Sequence, residues 1–374
     1  MKTRTLVTLG AIAGAGAGAI KWLSQPLRGQ NRTLIDWEAV RDRAKHRAQN
    51  SDNSPATASY SHLESSYIEQ ATSLLPHLNA AWGSPLPNLP PIRIVGRVGF
   101  IDANLSMMER IVNALYAAQQ SRPETRLTAL NRQISSTYIG EAFGATSRRV
   151  LGQYDPILGR ALSTPPATDP ATLFMVEENI AEIETAFHVS GVDIRGWIMM
   201  HELTHAWQFE THPWLDAYFT SILQQATQLT APKGVESLRR LPTLVRDEVA
   251  IVGRLQAVMS IIEGHANYIT HQVAKSHLAS FDAIEATFER RKSMQTLPER
   301  VLYALTGISL KMRQYAVGEA FLSAVAERHG AEVLDLLWLS IEHFPTPLEL
   351  RHPHARFERV SSLPQSPVAP AGVS

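Results

Sequence analysis

The sequence predicts a mainly α-helical fold with a small minor β component. Apolar residues recur at helical spacing over long stretches, and only two short runs combine β-branched or aromatic residues with flanking breakers. The chain has 374 residues, 44% of them hydrophobic and 19% charged, which is enough apolar material for a substantial core.

Read in order, the chain opens with Lys2 and Arg4 ahead of an uncharged Gly/Ala-rich run, Leu6 to Ile20. This is the charge layout of a signal peptide or of a short membrane anchor. The run falls short of the roughly 17–25 apolar residues of a spanning helix, and Ala15-Gly16-Ala17 fits a small-x-small cleavage site. Residues 1–30 are therefore read as a leader, leaving membrane-associated, exported and cytoplasmic locations all open. Residues 31–59 are expected to hold an amphipathic helix, Ile35 to Arg47, and a polar linker, Gln49 to Ser59.

A catalytic domain is expected over residues 60–360. Tyr60 to Trp82 reads as a helix stopped by Gly83, and the four prolines between Pro85 and Pro91 keep the following backbone extended. The strand expectations are Pro91 to Val98 and Thr172 to Val176. Helices are expected over Ala103 to Gln120, Gln133 to Leu151, Trp197 to Thr211, Leu241 to Ser276, Val301 to Arg328 and Ala331 to Ile341. Tyr154-Asp-Pro156 reads as a turn, because Asp before Pro favours turn initiation. Residues 361–374 turn to Ser, Pro, Ala and Gly, the composition of a disordered tail.

Lysine plus arginine equal aspartate plus glutamate at 35 each, so no net field draws the chain to nucleic acid. Cysteine is absent, which excludes thiolate ligands and thiol nucleophiles and leaves His, Asp and Glu as the strong metal ligands.

His201-Glu-Leu-Thr-His205 is the motif that carries chemistry. Two histidines four residues apart share one helix face a turn apart, so both can reach a common zinc ion. Glu202 lies one step round the helix, placed to take a proton from an attacking water as general base. Trp197, Ile198, Leu203, Trp207 and Phe209 interleave with the motif, as expected of a buried catalytic helix.

A third ligand is expected in Glu263-Gly-His-Ala-Asn-Tyr268. About 200° of helix rotation separates Glu263 from His265, making them alternatives. Glu263 is favoured because Gly264 and Ala266 allow close approach to the first helix, and Asn267, one turn on, could orient a ligand histidine. His265, Tyr268, His212, His271, Arg313 and Tyr315 are candidates by type for an oxyanion donor. Glu319 reads as a helix residue paired to Arg or Lys.

With these motifs the chain resembles the gluzincin group of zinc peptidases and, more specifically, the bacterial zincin-like metallopeptidase type 2 family. The resemblance runs from about Ile35 to Val360 and includes Ile35-Asp-Trp, Arg97-Val-Gly-Phe-Ile-Asp-Ala-Asn104, Arg148-Arg-Val-Leu-Gly-Gln-Tyr-Asp-Pro156 and Pro213-Trp-Leu215. It also includes Leu310-Lys-Met-Arg-Gln-Tyr315, Gly318-Glu-Ala-Phe321 and Phe344-Pro-Thr-Pro-Leu-Glu-Leu350. It implies a mainly helical zincin fold, one zinc ion held by His201, His205 and the glutamate of the second motif, Glu202 as catalytic base, and a peptide or protein substrate. Thr270 departs from the acidic residue that family members often carry at that position, and some members are labelled as associated with deazaflavin coenzyme biosynthesis. The rival expectation is a zincin scaffold without peptidase activity, whose zinc is structural or binds a metabolite.

Overall fold

The structure, a computed structural model, describes residues 35–49, 60–115, 126–155, 171–229, 236–293 and 308–350, with 352 and 359. The leader, residues 50–59 of the linker and the C-terminal tail lie outside the described residues. Among those described, no helix is long and apolar enough to cross a membrane.

The chain divides into two compact units, residues 1–56 with 98–148 and residues 57–97 with 149–374. The first is helical. In α1 (Trp37–Gln49) the residues Trp37, Val40, Ala44 and Ala48 recur on one face and are buried. They pack with Ile101 and Leu105, and with the half-buried Ile139 and Phe143 of a later helix. Close approach explains two glycines there: a Cβ on Gly140 would lie 2.9 Å from the Val40 carbonyl oxygen, and one on Gly144 2.6 Å from that of Ala44.

The second unit carries the sheet. A short 3₁₀ turn leads into α2 (Glu64–Trp82), which ends at Gly83 in the left-handed region, φ 73°. Strand β1 (Ile92–Val95) follows, then α3 (Arg97–Leu115) and α4 (Arg126–Ser147), which belong mostly to the first unit. Strands β2 (Gly152–Asp155) and β3 (Thr172–Val176) complete a sheet of order β1-β3-β2. β1 runs parallel to β3 and β2 antiparallel to it, with Ile92 opposite Leu173 and Tyr154 opposite Leu173.

Among the described residues six α-helices follow: α5 (Glu177–Phe187), α6 (Gly191–Thr211), α7 (Pro213–Leu229), α8 (Glu236–His277), α9 (Phe281–Ser293) and α10 (Ile308–His329). The mainly helical expectation holds, with local corrections. Tyr154-Asp155 belongs to a strand rather than a turn. The helix expected to reach Leu151 stops at Ser147, and Ala331–Trp338 is a 3₁₀ helix.

α6 lies at the centre of the second unit's core and is buried on several sides, through Ile194, Ile198, Met199, Met200, Leu203, Ala206 and Trp207. Its start is capped by Ser190, whose Oγ accepts the Asp193 N–H at 3.3 Å. The end of α2 and the residues just after it hold α6 at Trp207: Trp82 stacks on Trp207 with ring centroids 5.8 Å apart, and the Trp207 Nε1–H donates to Ser84 Oγ at 3.0 Å. At the N-terminal end, the Arg195 guanidinium donates to Glu177 and Glu184, and Glu177 also accepts from the Tyr67 hydroxyl. These bonds tie α6 to α5 and α2.

The 42-residue α8 crosses α10 through glycine. A Cβ on Gly318 would fall 1.7 Å from the Ser260 carbonyl oxygen, and one on Gly264 2.5 Å from the Gly318 carbonyl carbon. Gly264 therefore serves the approach of α10, not of the helix bearing the histidines as its position beside Glu263 suggested.

Candidate metal centre

The i, i+4 spacing on α6 brings His201 and His205 together, with Nε2 atoms 3.2 Å apart. Packing of α8 against α6 adds Glu263. Its Oε2 lies 3.5 Å from His201 Nε2 and 3.4 Å from His205 Nε2. Glu263 is 3% exposed, and the two histidines are half-buried.

These separations test whether the three residues fit a zinc ion. Zn–N and Zn–O bonds of about 2.0–2.1 Å in a tetrahedron place neighbouring ligand atoms about 3.3–3.4 Å apart. The observed triangle, 3.2, 3.4 and 3.5 Å, has that size. Two imidazole nitrogens and one carboxylate oxygen are also a donor set that zinc accepts. Among the described residues, these three form the group of His, Asp and Glu side chains close enough to hold a metal ion.

The charges respond accordingly. Burial alone would lower the His205 pKa, but the charge of Glu263, its hydrogen bond and the charge of Glu202 outweigh it, so the net direction is up. A cation at the triangle would instead balance the Glu263 charge and hold both imidazoles neutral. Glu202 stands outside the triangle yet close enough to be felt at His205.

Glu202 is itself held. It is 7% exposed, and its Oε2 accepts the Tyr154 N–H of β2 at 2.7 Å. Gly152 leaves room for it, since a Cβ there would lie 2.8 Å from Glu202 Cγ and 2.7 Å from Ile198 Cγ2. The register explains why this amide points toward Glu202. Tyr154 is opposite Leu173, whose own N–H goes to the Pro91 carbonyl on the far side, so the Tyr154 backbone faces off the sheet edge.

The second motif's remaining residues take other places. His265 does not join the triangle. Its ring stacks on Trp207 at 5.6 Å and meets Trp338 edge-on at 4.8 Å, while Nδ1 lies 3.2 Å from Gln208 Nε2. Burial, with the charges of His212 and His205, pulls its pKa down to about 3. His212 occupies the same aromatic surround and is drawn down to about 4 by burial. The residue bonded to His205 Nδ1 is Gln208 at 2.9 Å, in place of the expected Asn267. Gln208 was missed, although its i+3 position on the motif helix was a usable signal.

Among the other donor candidates, His271 pairs with Glu319 at 3.0 Å, which also replaces the Arg or Lys partner expected for Glu319. Tyr268 is half-buried against the core, and the side chains of Arg313 and Tyr315 lie outside those described. Ile198, Leu203 and Trp207 are buried as expected, whereas Trp197 and Phe209 are half-buried. Thr270, on the Glu263 helix, is buried.

A triangle of side chains that could hold a metal ion, shared by two packed helices beside a three-stranded sheet among otherwise mostly helical described residues, defines a mainly α zincin-like protein. A sequence model of the zincin-like metallopeptidase family matches residues 35–356, and the chain belongs to that family. At family level its chemistry is that of a zinc hydrolase. The chain is similar to a protein of Chloroflexus aurantiacus whose crystal structure is described as that of a candidate hydrolase with a novel fold. The TM-score is 0.67 at 29% identity, over 88% of this chain and 100% of that one. No curated protein matches.

Proposed function

We propose that this chain is a zinc metallopeptidase in which His201, His205 and Glu263 hold one zinc ion and Glu202 is the general base. The observation that carries the reading is the triangle of donor atoms at 3.2–3.5 Å, with a second, separately held carboxylate beside it. Bound there, zinc would supply Lewis acidity toward water and toward a substrate carbonyl.

The protein's own groups supply the rest. The Tyr154 N–H fixes the Glu202 carboxylate while leaving its acceptor capacity for a water proton. Burial around α6 limits competing solvent. Among the described residues β2 is an edge strand of the sheet and lies next to Glu202, which suits an extended peptide pairing as an added strand. This supports peptide over other carbonyl substrates.

A zincin scaffold with purely structural zinc would close its site with a fourth protein ligand. His265 and His271, the nearest candidates by sequence, are engaged with Gln208 and Glu319 instead. That favours a catalytic arrangement.

The test is Glu202→Gln, assayed on a peptide library that the wild-type protein cleaves. Loss of a general base predicts a fall in kcat of about 10²–10⁴-fold. Zinc content is expected to stay at the wild-type level. Full activity in Glu202→Gln would contradict the assigned mechanism.

A further inference from the structure

We propose that Gln208 is a positioning residue of the metal centre, one that fixes His205 in the tautomer presenting a bare Nε2 and clamps α6 to α8 at the ligands. This rests on the zinc reading above.

Gln208 is fully buried, three residues beyond His205 on α6. Its amide meets three groups. Nε2 lies 2.9 Å from the Ile262 carbonyl oxygen and 3.2 Å from His265 Nδ1, and Oε1 lies 2.9 Å from His205 Nδ1.

A backbone carbonyl can only accept, so the amide nitrogen must face Ile262. Flipping the amide would set two oxygens against each other. Oε1 is thereby committed to His205, and because an amide oxygen also only accepts, His205 must carry its proton on Nδ1. A neutral imidazole protonated at Nδ1 has its lone pair on Nε2. That is the atom standing 3.2 Å from His201 Nε2 and 3.4 Å from Glu263 Oε2.

The second amide hydrogen goes to His265 Nδ1, which leaves the His265 proton on Nε2. Every polarity in the chain thus descends from one carbonyl that cannot change its role. Ile262 immediately precedes Glu263, so the same amide that orients a ligand on α6 is anchored on the turn of α8 that supplies the third donor. His265, rejected as a ligand, acquires a purpose as the far end of this chain.

Two substitutions and two spectra test the proposal. Gln208→Met keeps the bulk and removes all three bonds; zinc affinity, read by competition with a chromophoric chelator, is expected to fall about 10–100-fold. The visible spectrum of the cobalt-substituted protein is expected to change with it. Gln208→Glu keeps an acceptor for His205 but sets a carboxylate oxygen against the Ile262 carbonyl, so its zinc affinity is expected to lie between those of Gln208→Met and wild type.

The nuclear magnetic resonance spectrum needs no variant at Gln208. In zinc-loaded wild-type protein labelled with ¹⁵N-histidine, His205, assigned by its loss in His205→Gln, is expected to show a protonated Nδ1. A proton on Nε2 would overturn the proposal, as would wild-type zinc affinity and cobalt spectrum in Gln208→Met. Failure of wild-type protein to bind zinc would instead remove the zinc reading itself.

Discussion

His212 and His265 face the same pair of indoles, Trp207 and Trp338, and both are kept neutral by burial, with pKa values drawn down to about 4 and about 3. In the unfolded chain they titrate near 6.5. Between that value and the folded ones the unfolded state binds more protons, so native stability falls as pH drops below about 6.5 and continues to fall toward 4. For His212 the shift from 6.5 to about 4 corresponds to on the order of 3 kcal/mol. Thermal melts from pH 7 to 4 are therefore expected to steepen below 6.5, and His212→Gln to flatten that slope; an unchanged slope would show that the histidine is not held neutral. At this scale the sequence was informative about the proposed ligands and largely silent about their support. His201, Glu202, His205 and Glu263 stand out by type and spacing. Gln208 offers only its i+3 spacing from His205, because its other contact depends on where α8 places the Ile262 carbonyl.

Two of the elements around the site are positioned by glycine. α10 reaches α8 only because Gly318 and Gly264 lack side chains, and this crossing lies beside Glu263. Gly318→Ala is expected to destabilise the protein by at least about 1–3 kcal/mol, seen as a lower denaturation midpoint, because the new methyl group meets a carbonyl oxygen. β2 meets α6 at Gly152, where added atoms would strike Ile198 and Glu202. Gly152→Val is expected to reduce turnover by displacing the base while leaving zinc bound; equal loss of zinc and turnover would contradict that division of labour.

The same strand was the element least legible in the sequence. Gly152-Gln-Tyr-Asp155 contains no β-branched residue and ends in a turn-like Asp-Pro, so only its pairing with β3 makes it a strand. α5 was likewise unannounced: β3 runs straight into it, with Val176 at the N-cap position offering no side-chain cap. The longer helices were legible because their apolar periodicity persists over many turns, as in α2 and α8.

Across the whole molecule, the family match over residues 35–356 and the similarity to the Chloroflexus aurantiacus structure agree with the helical class read from periodicity. What periodicity could not provide was the meeting of α6 and α8, which are separated in sequence by α7 and converge only through the shared core. The proposed zinc site is thus a property of the assembled core rather than of either motif. Metal analysis of protein purified without added metal tests this most directly. About one zinc per chain is expected in wild type and in Glu202→Gln, and close to none in His201→Ala or Glu263→Ala. Absence of zinc from wild type, or zinc retained in full by Glu263→Ala, would contradict the account.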